Sequence, residues 1–562
     1  MLIDLVNLFA HNDHVSKESF DSAVKDMTSS EKDSLLWALL QKQNSDREQL
    51  QALRKEVFGR SSEKALTLFD HLFDELETAE EVEEIKAQED PQPEQIDDDK
   101  PGKTRRRMAG AMKSLPVETE HRYPKGEEFE AHKDEMLQLA TEVQRTVEFV
   151  PARFFVKEVI YHNYLWKISE DEQKFFSPVK EQKLLERSMM SPSVAAHLLH
   201  EKVINGMPLN RQAMDIQKKG VDLSRQTMNN WVLRTCEDYI VPLSDHMLKD
   251  FRKLHTVHMD ETGLQVLELF QNGGNSVSNM VVCVSGPFEK RKMKLYRFFP
   301  GKSQSFVQDV LSDEFKGNLI TDGAACYENW TKAHNNLFPD QEVVHGGCMA
   351  HARRKFVEAA EVREDYREYK KLGRKEQGVY LEGHPGLKGL TEAIDLMGRL
   401  YQVEKKGVRQ KLDPEGIRKL RQKEAVPVFR KLTAHIEKLS REYPPSGKAG
   451  RAAKYFLSRK ESLSAYLEDG EMPVDNNKAE RTVKPFVIAR KGFLFSDSKL
   501  GAEATAASFS VLQSAVDNGL EPEKYLTWVL KKLSTEGLKD SVLDEVAPYS
   551  EKIPPDLYSK KK

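Results

Sequence analysis

Cysteine is scarce in this sequence: four in 562 residues, at 236, 283, 326 and 348, with no two in a C-x-x-C pair. That count argues against a disulfide framework and a cysteine-rich zinc site, and the four read as reduced, packed thiols. Long apolar runs are missing too. No stretch approaches the roughly 20 residues that a membrane span requires. The opening MLIDLVNLFAHND lacks the basic flank and cleavage pattern of an export leader. The expected location is therefore the cytoplasm. An excess of positive charge is also absent, since the formal net charge is −4. That figure hides an uneven distribution. Residues 74–99 hold thirteen carboxylates against one lysine, Lys86, so this segment carries −12 and the rest of the chain +8. A mildly basic body on an acidic tether is compatible with phosphate contacts without demonstrating them.

The length predicts two to four domains, and the texture of the chain divides it. Residues 1–76 read as helical: Leu36, Leu39, Leu50, Leu53 and Val57 fit a heptad seam over 31–59, with Gln43 and Asp46 as polar core positions. Such a coiled coil can dimerise, or the helix can pack on its own domain. Residues 77–113 form a linker, acidic first, with Pro91, Pro93 and Pro101, then basic at Lys103, Arg105, Arg106 and Arg107. Residues 114–185 form a small β-rich module, strongest at 143–168, where β-branched and aromatic residues concentrate.

Residues 186–250 turn helical. PLNRQAMDIQKKG and VDLSRQTMNNWVLRTC are two predicted helices parted by a turn at Gly220. Ser224 caps the second, whose buried stripe is Met228, Trp231, Val232 and Thr235. Arg225, Gln226, Asn229 and Asn230 then face outward, with side chains suited to phosphates and base edges. A helix-turn-helix and a plain helical hairpin both satisfy this spacing.

From residue 251 to 363 strands and helices alternate. KLHTVHMDETG is a strand ending in an acid, GLQVLELF and NMVVCVSG flank a hairpin turn, and KLYRFF is a third strand. The helix SQSFVQDVLSDEF, the strand GNLITDGAA, the strand EVVHGGCM and the helix AHARRKFVEAA come next. This order matches a ribonuclease H-like core, a mixed five-stranded sheet with helices, in which the first and fourth strands are neighbours. Asp260 and Asp322, at the ends of those strands, would then sit together. Paired carboxylates repel unless a cation lies between them. Phosphodiester chemistry commonly supplies two Mg²⁺ or Mn²⁺ ions, hard cations that take oxygen ligands. A third acid is expected from PVDNNKAERTVKP in the segment 461–545, where Asp475 caps a short helix, Glu480 lies one turn in and Pro485 kinks or ends it. Read alone, Glu480 and Lys484 are equally an ordinary exposed i,i+4 pair. Residues 364–460 are a charged helical stretch, and 546–562 a C-terminal tail.

The strings HMDETGLQV, ITDGAACYENW, HGGCMAHARRKFVEA, PVDNNKAERTVKPFVIARKGFLFSDSKLGA and DNGLEPEKYL occur here in that order. Together with LRKEVFGRSSEK and MPLNRQAMDIQKKGVDLSRQTMNNWV upstream, they resemble bacterial transposases of insertion-sequence family sixty-six over most of residues 50–535. The resemblance implies a DDE-type transposase that uses Mg²⁺ or Mn²⁺, with Asp260, Asp322 and Glu480 on the catalytic, metal-holding positions. It implies DNA as partner, both transposon terminal repeats and target, a homo-oligomer on DNA, possible accessory transposition proteins, and residence on the nucleoid when bound. Residues 364–460 become a helical insertion within the core. Phosphate contacts are expected from Arg353, Arg354, Lys355, Arg481, Lys484, Arg490 and Lys491. Many relatives carry a cysteine-based zinc module before the helical region, whereas VIYHNYLWKISEDEQK has no cysteine, so zinc is not expected there. His345, Cys348 and His351 contain ligand types, but they cross from strand to helix and are expected to diverge. A metal-dependent nuclease without strand transfer, and a transposase-derived DNA-binding regulator, are the competing functions.

Overall fold

The computed structural model describes residues 117–150, 153–168, 172–186, 188–271, 277–300 and 305–559. The predicted heptad helix, the acidic tether and the basic run at 103–107 lie outside them. The described residues fall into two compact units. One holds Ile320–Ala324 and Val344–Asn477; the other holds the residues up to Leu319, Ala325–Val343 and those from Lys478 onward. Among the described residues no helix is long and apolar enough to cross a membrane.

Residues 117–176 form two three-stranded sheets. Strands β1 (Val117–Arg122), β3 (Glu142–Val150) and β4 (Arg153–Tyr161) form one, in the order β1-β4-β3; β2 (Leu137–Gln138), β5 (Tyr164–Lys167) and β6 (Gln173–Phe176) form the other, in the order β2-β5-β6. Aromatic packing closes the module: Phe129 is fully buried, with its ring 4.9 Å from that of Tyr164 and 5.8 Å from that of Phe176.

Helix α1 (Pro192–Val203) leads into α2 (Leu209–Lys218) and α3 (Arg225–Thr235). The turn between α2 and α3 uses Gly220 at φ +92°, a left-handed conformation that favours glycine. The Ser224 hydroxyl accepts the Thr227 amide, and Met228, Trp231, Val232 and Thr235 are buried, as their spacing predicted. Gln212, unsuspected in the sequence, is buried and donates to the Leu198 and Met207 carbonyls, tying α2 to α1. The second helix does not stop where the turn signals ran out. It passes through a π turn, Cys236–Ile240, into α4 (Val241–Phe251). A proline at Pro242 lacks an amide and crowds the carbonyl four residues back, in that widened turn. The same device recurs where Arg421–Ala425 forms a π turn ahead of Pro427.

The central sheet comprises β7 (Thr256–Val266), β8 (Val277–Ser285), β9 (Lys294–Phe299), β10 (Gly317–Thr321) and β11 (Val343–Gly347), ordered β11-β10-β7-β8-β9. A sixth strand, β12 (Phe495–Ser496), joins β7 in parallel, so the expected count of five is one short. Two further expectations change. LELFQ is not strand but a short helix, α5 (Leu267–Gln271). Strand β7 does not end at Asp260, because its antiparallel ladder with β8 runs from Val257↔Ser285 to Gln265↔Val277. Asp260 therefore lies in mid-strand. Helices α6 (Phe306–Leu311) and α7 (Ala325–Leu337) flank β10 in the chain.

After β11 the chain is helical, as expected. Helices α8 (Met349–Glu361), α9 (Pro385–Arg409), α10 (Val426–Glu442) and α11 (Lys448–Ser458) bury one apolar core that includes Phe356, Met397, Leu400, Leu432, Ile436 and Phe456. Inside it lies a cation. Arg421, 2% exposed, makes a bidentate pair with Glu404 at 2.8 and 2.6 Å, while its Nη1 donates to the Tyr466, Asp469 and Met472 carbonyls. One guanidinium thus organises the loop that leads to Asp475.

Helix α12 (Asn477–Phe493) continues past Pro485, correcting the short helix expected. Its buried face holds it through the proline: Phe486 is fully buried and contacts Tyr296 and Phe509, and the Tyr296 hydroxyl donates to the Thr482 carbonyl at 2.6 Å. Helix α13 (Lys499–Asp517) covers the open edge of β9. Its Ser510 and Ser514 hydroxyls accept the Tyr296 and Lys294 amides and donate to the carbonyls of the same residues. An edge strand that would otherwise invite pairing is thereby satisfied within the chain. Helix α14 (Pro522–Glu536) packs on α1.

Replacing Arg421 by Met strands Glu404 and three carbonyls, and a loss of about 3–5 kcal/mol is expected in urea unfolding. The double change Arg421→Met with Glu404→Leu should recover much of it. A single variant as stable as the parent would show that the pair is dispensable.

Candidate active site

Strand β10 is set against β7 by its first two residues. The Asn318 amide donates to the His255 carbonyl at 2.6 Å, and its side chain donates to Thr256 Oγ1 at 3.2 Å. Gly317, at φ +126°, admits no side chain, since a Cβ would lie 2.2 Å from the His255 oxygen. The Gly317 amide reaches the Glu342 carbonyl just before β11. Strands β7, β10 and β11 therefore begin at one end of the sheet and run in the same direction.

Asp260, half-buried, is the fifth residue of β7 and stands opposite Val282 of β8. Its carboxylate accepts the Glu261 amide at 2.9 Å. On the other edge of β7, β10 accompanies the first residues and β12 the last, at Phe495↔Gln265 and Ser496↔Val266. Asp260 falls between these two stretches. Backbone carbonyls in such a gap need another donor, and Arg490 of α12 supplies one to Gly263. That residue was expected to bind phosphate; part of its guanidinium is already engaged in holding β7.

Next to Asp260, Glu261 accepts a hydrogen bond from the Tyr327 hydroxyl of α7. Burial, then the Glu261 charge, pushes the Tyr327 phenol well above its ordinary range, so it stays a neutral donor. The DE dipeptide was visible in the sequence, but the tyrosine 66 residues away carried no signal.

Asp322 follows β10 directly and is half-buried. Its Oδ1 accepts the Ala324 amide at 3.0 Å, an Asx turn that fixes the side chain. Helix α11 holds this turn from outside. The Tyr455 hydroxyl donates to the Asp322 carbonyl at 2.7 Å, and Arg459 donates to the Gly323 carbonyl at 3.0 and 2.8 Å. The Arg459 guanidinium also lies 4.3 Å from the centre of the Tyr455 ring. Burial pushes the Tyr455 phenol up to about 12, so it remains a donor. Gly323 sits at φ +91°, where a Cβ would lie 2.8 Å from Arg459 Nε. Neither Tyr455 nor Arg459 was anticipated, because more than 130 residues separate them from the turn at Asp322.

Glu480, half-buried, lies in the first turn of α12. Asp475 caps from one residue earlier than expected: its Oδ1 accepts the Asn477 amide at 3.1 Å, and Asn476 is completely buried. Lys478, in the same first turn as Glu480, donates to the Ser285 carbonyl at 2.6 Å, and burial lowers its pKa. Arg481, Lys484 and Lys491 are exposed, as are Arg353 and Arg354, while Lys355 is half-buried. On α3, Arg225 and Gln226 are exposed, and Asn229 and Asn230 half-buried.

His345 shares a 2.8 Å hydrogen bond with Thr321 Oγ1, while Cys348 Sγ accepts the Asn476 amide at 3.2 Å. The ligand atoms of Cys348 and His351 come within 4.8 Å of each other, closer than their strand-to-helix placement suggested.

A family model described as "Transposase IS66 family" matches residues 187–504. Three proteins of Sinorhizobium fredii, each described as uncharacterized, are similar over most of the chain. The protein y4jD is 27% identical, across 72% of this chain and 74% of its own length. For y4qI the figures are 26%, 72% and 70%, and for y4hP 24%, 70% and 68%.

Tyr455→Phe removes the donor to the Asp322 carbonyl and should cost about 0.5–1.5 kcal/mol. The loss should appear as faster hydrogen exchange at the Ala324 amide than in β8. Unchanged exchange there would mean that the turn holds itself.

Proposed function

The chain belongs to the IS66 transposase family, whose model covers more than half of it, and from that premise we propose that it cuts and joins DNA at a site formed by Asp260, Asp322 and Glu480. The register of β10 on β7 carries the reading. Asn318 bonds His255 and Thr256 at the start of β7, and each acid comes four residues further along its chain, which supports reading Asp260 and Asp322 as a pair. This is the relation a ribonuclease H-like core requires. Support for Glu480 comes from α12, which is fastened to β7 through Arg490 and Gly263 and runs on into β12 beside Gln265.

The carboxylates of Asp260, Asp322 and Glu480, each half-buried, are donors that suit hard divalent cations. When bound, a pair of Mg²⁺ or Mn²⁺ ions supplies activation of the attacking oxygen and charge stabilisation at the departing 3′ oxygen. The protein contributes rigidity. Asp322 is fixed by its own turn and by Tyr455 and Arg459, Asp260 by the β7 ladder, and Glu480 by a capped helix start with Lys478 bound to the end of β8. In the first reaction water attacks a phosphodiester at the element end and frees a 3′-OH. In the second that hydroxyl attacks a target phosphodiester, one bond forming as another breaks. No serine or tyrosine nucleophile is needed.

DNA would be held by α2 and α3 acting as a helix-turn-helix, with Arg225, Gln226, Asn229 and Asn230 toward the duplex, and by Arg353, Arg354, Lys355, Arg481, Lys484 and Lys491 on phosphates. Bringing two element ends together calls for more than one copy of the chain, a role for the N-terminal heptads.

Incubation with Mg²⁺ or Mn²⁺ and duplexes carrying the element ends should yield 3′-cleaved and strand-transferred products. Asp260→Asn, Asp322→Asn and Glu480→Gln should each lower both by roughly three orders of magnitude while leaving the fold intact. Cleavage without joined product would identify a nuclease, and binding without cleavage a regulator. Full activity in Asp260→Asn would remove the acid assignment.

A further inference from the structure

Helices α8 and α11 pack against each other and bound a cavity of about 540 Å³. Five cations line it, Lys355 from α8 and Lys448, Arg451, Lys454 and Arg459 around α11, against one acid, Glu358. Two of the five are occupied. Arg459 holds the Gly323 carbonyl, and Lys355 lies 4.7 Å from the centre of the Tyr455 ring. Lys448, Arg451 and Lys454 make no ion pair among the described residues, and Arg451 and Lys454 are exposed. Other surface cations of this unit are matched, Lys406 by Glu424 and Arg418 by Glu415. Unmatched like charges around one concavity repel each other, and a polyanion relieves that repulsion.

The lining also says what kind of polyanion. The Tyr455 ring, the one aromatic surface in the cavity wall, is taken by the Lys355 and Arg459 cations, so it is not offered to a base. The Ser458 hydroxyl already donates to the Tyr455 carbonyl. What is left is charge without a base-reading group, which recognises phosphates and not sequence.

We infer that this cavity is a phosphate-backbone site for a DNA strand, with Lys448, Arg451 and Lys454 as its contacts, on the same helix that holds the turn after Asp322. The inference rests on the reading of the chain as a DNA-handling protein, but its test needs no catalysis. The full chain and its K448Q/R451Q/K454Q variant are titrated with two duplexes, one from the element end and one unrelated, between roughly 50 and 200 mM salt. In the variant, the slope of log affinity against log salt should fall by about two to three, because three phosphate contacts are lost. The affinity loss should be the same factor on both duplexes. K448R/K454R, which keeps the charge, should retain the parent slope. An unchanged slope in the glutamine variant overturns the inference, and so does a loss confined to the element end. Labelled ATP serves as the small-molecule probe: ATP binding that the variant abolishes, with the duplex slope unaltered, would make the cavity a nucleotide site instead. If the slope falls but the parent neither cuts nor joins DNA, the cavity assignment stands and the transposase reading fails. If the parent cuts and joins but the slope is unmoved, the reverse holds.

Discussion

The placement of one five-residue strand governs the rest. Strand β10 is buried throughout its last four residues and is followed directly by Asp322, so its register fixes where along the strand direction that acid falls. A shift by one residue would turn every side chain to the opposite face. Two features prevent it. Gly317 lets its backbone close on the His255 carbonyl where any Cβ would collide, and Asn318 uses both its main-chain and side-chain donors on residues 255 and 256. These contacts lie at the far end of the strand from the acid, which leaves the acid end to be shaped by the turn at Gly323 and the helices later in the chain.

Those later segments are held by cations that bond carbonyls. Arg459 takes Gly323, Arg490 takes Gly263, Lys478 takes Ser285, and Arg421 takes three carbonyls of the loop before Asp475. The carbonyls of Gly323, Asp469 and Met472 belong to irregular backbone, where an unsatisfied group costs more than a typical hydrogen bond gains. A carboxylate acceptor would have neutralised the cation more completely. Using carbonyls instead keeps positive charge in the neighbourhood of acids and, on the proposed reading, of phosphates. The energetic burden is heaviest at Arg421, which is nearly fully buried and pairs with Glu404 as well.

Much of this was legible in the sequence wherever the signal was local. The cap at Ser224, the stripe Met228–Trp231–Val232–Thr235 and the buried strand before Asp322 follow from spacing alone. The misreadings arose where tertiary contacts overrode a local rule. Pro485 was read as a kink or an end of α12, and burial of Phe486 among Tyr296 and Phe509 carries the helix past it. The first strand reads as ending at Asp260, yet the β8 ladder carries β7 on past it to Gln265. Leu267–Gln271 alternates too weakly to separate strand from helix over five residues. The residues that hold Asp322 were invisible for a different reason: Tyr455 and Arg459 act across more than 130 residues, and nothing in a charged helical stretch marks two of its members as distinct.

That charged stretch couples two parts of the molecule. On α11, Tyr455 and the cations Lys448 and Arg451 recur at helical spacing of three and four residues, so they share one side of the helix, and Arg459 comes four residues on. The groups that fasten the turn after Asp322 and those that face the cavity are thus parts of one short rigid rod. The same helix carries Tyr455, whose hydroxyl donates to the Asp322 carbonyl at 2.7 Å. The helical segment between β11 and α12 is then more than a spacer separating two parts of a sheet. On the proposed reading, the cations that would face a strand and the hydroxyl that bonds the Asp322 carbonyl belong to one helix.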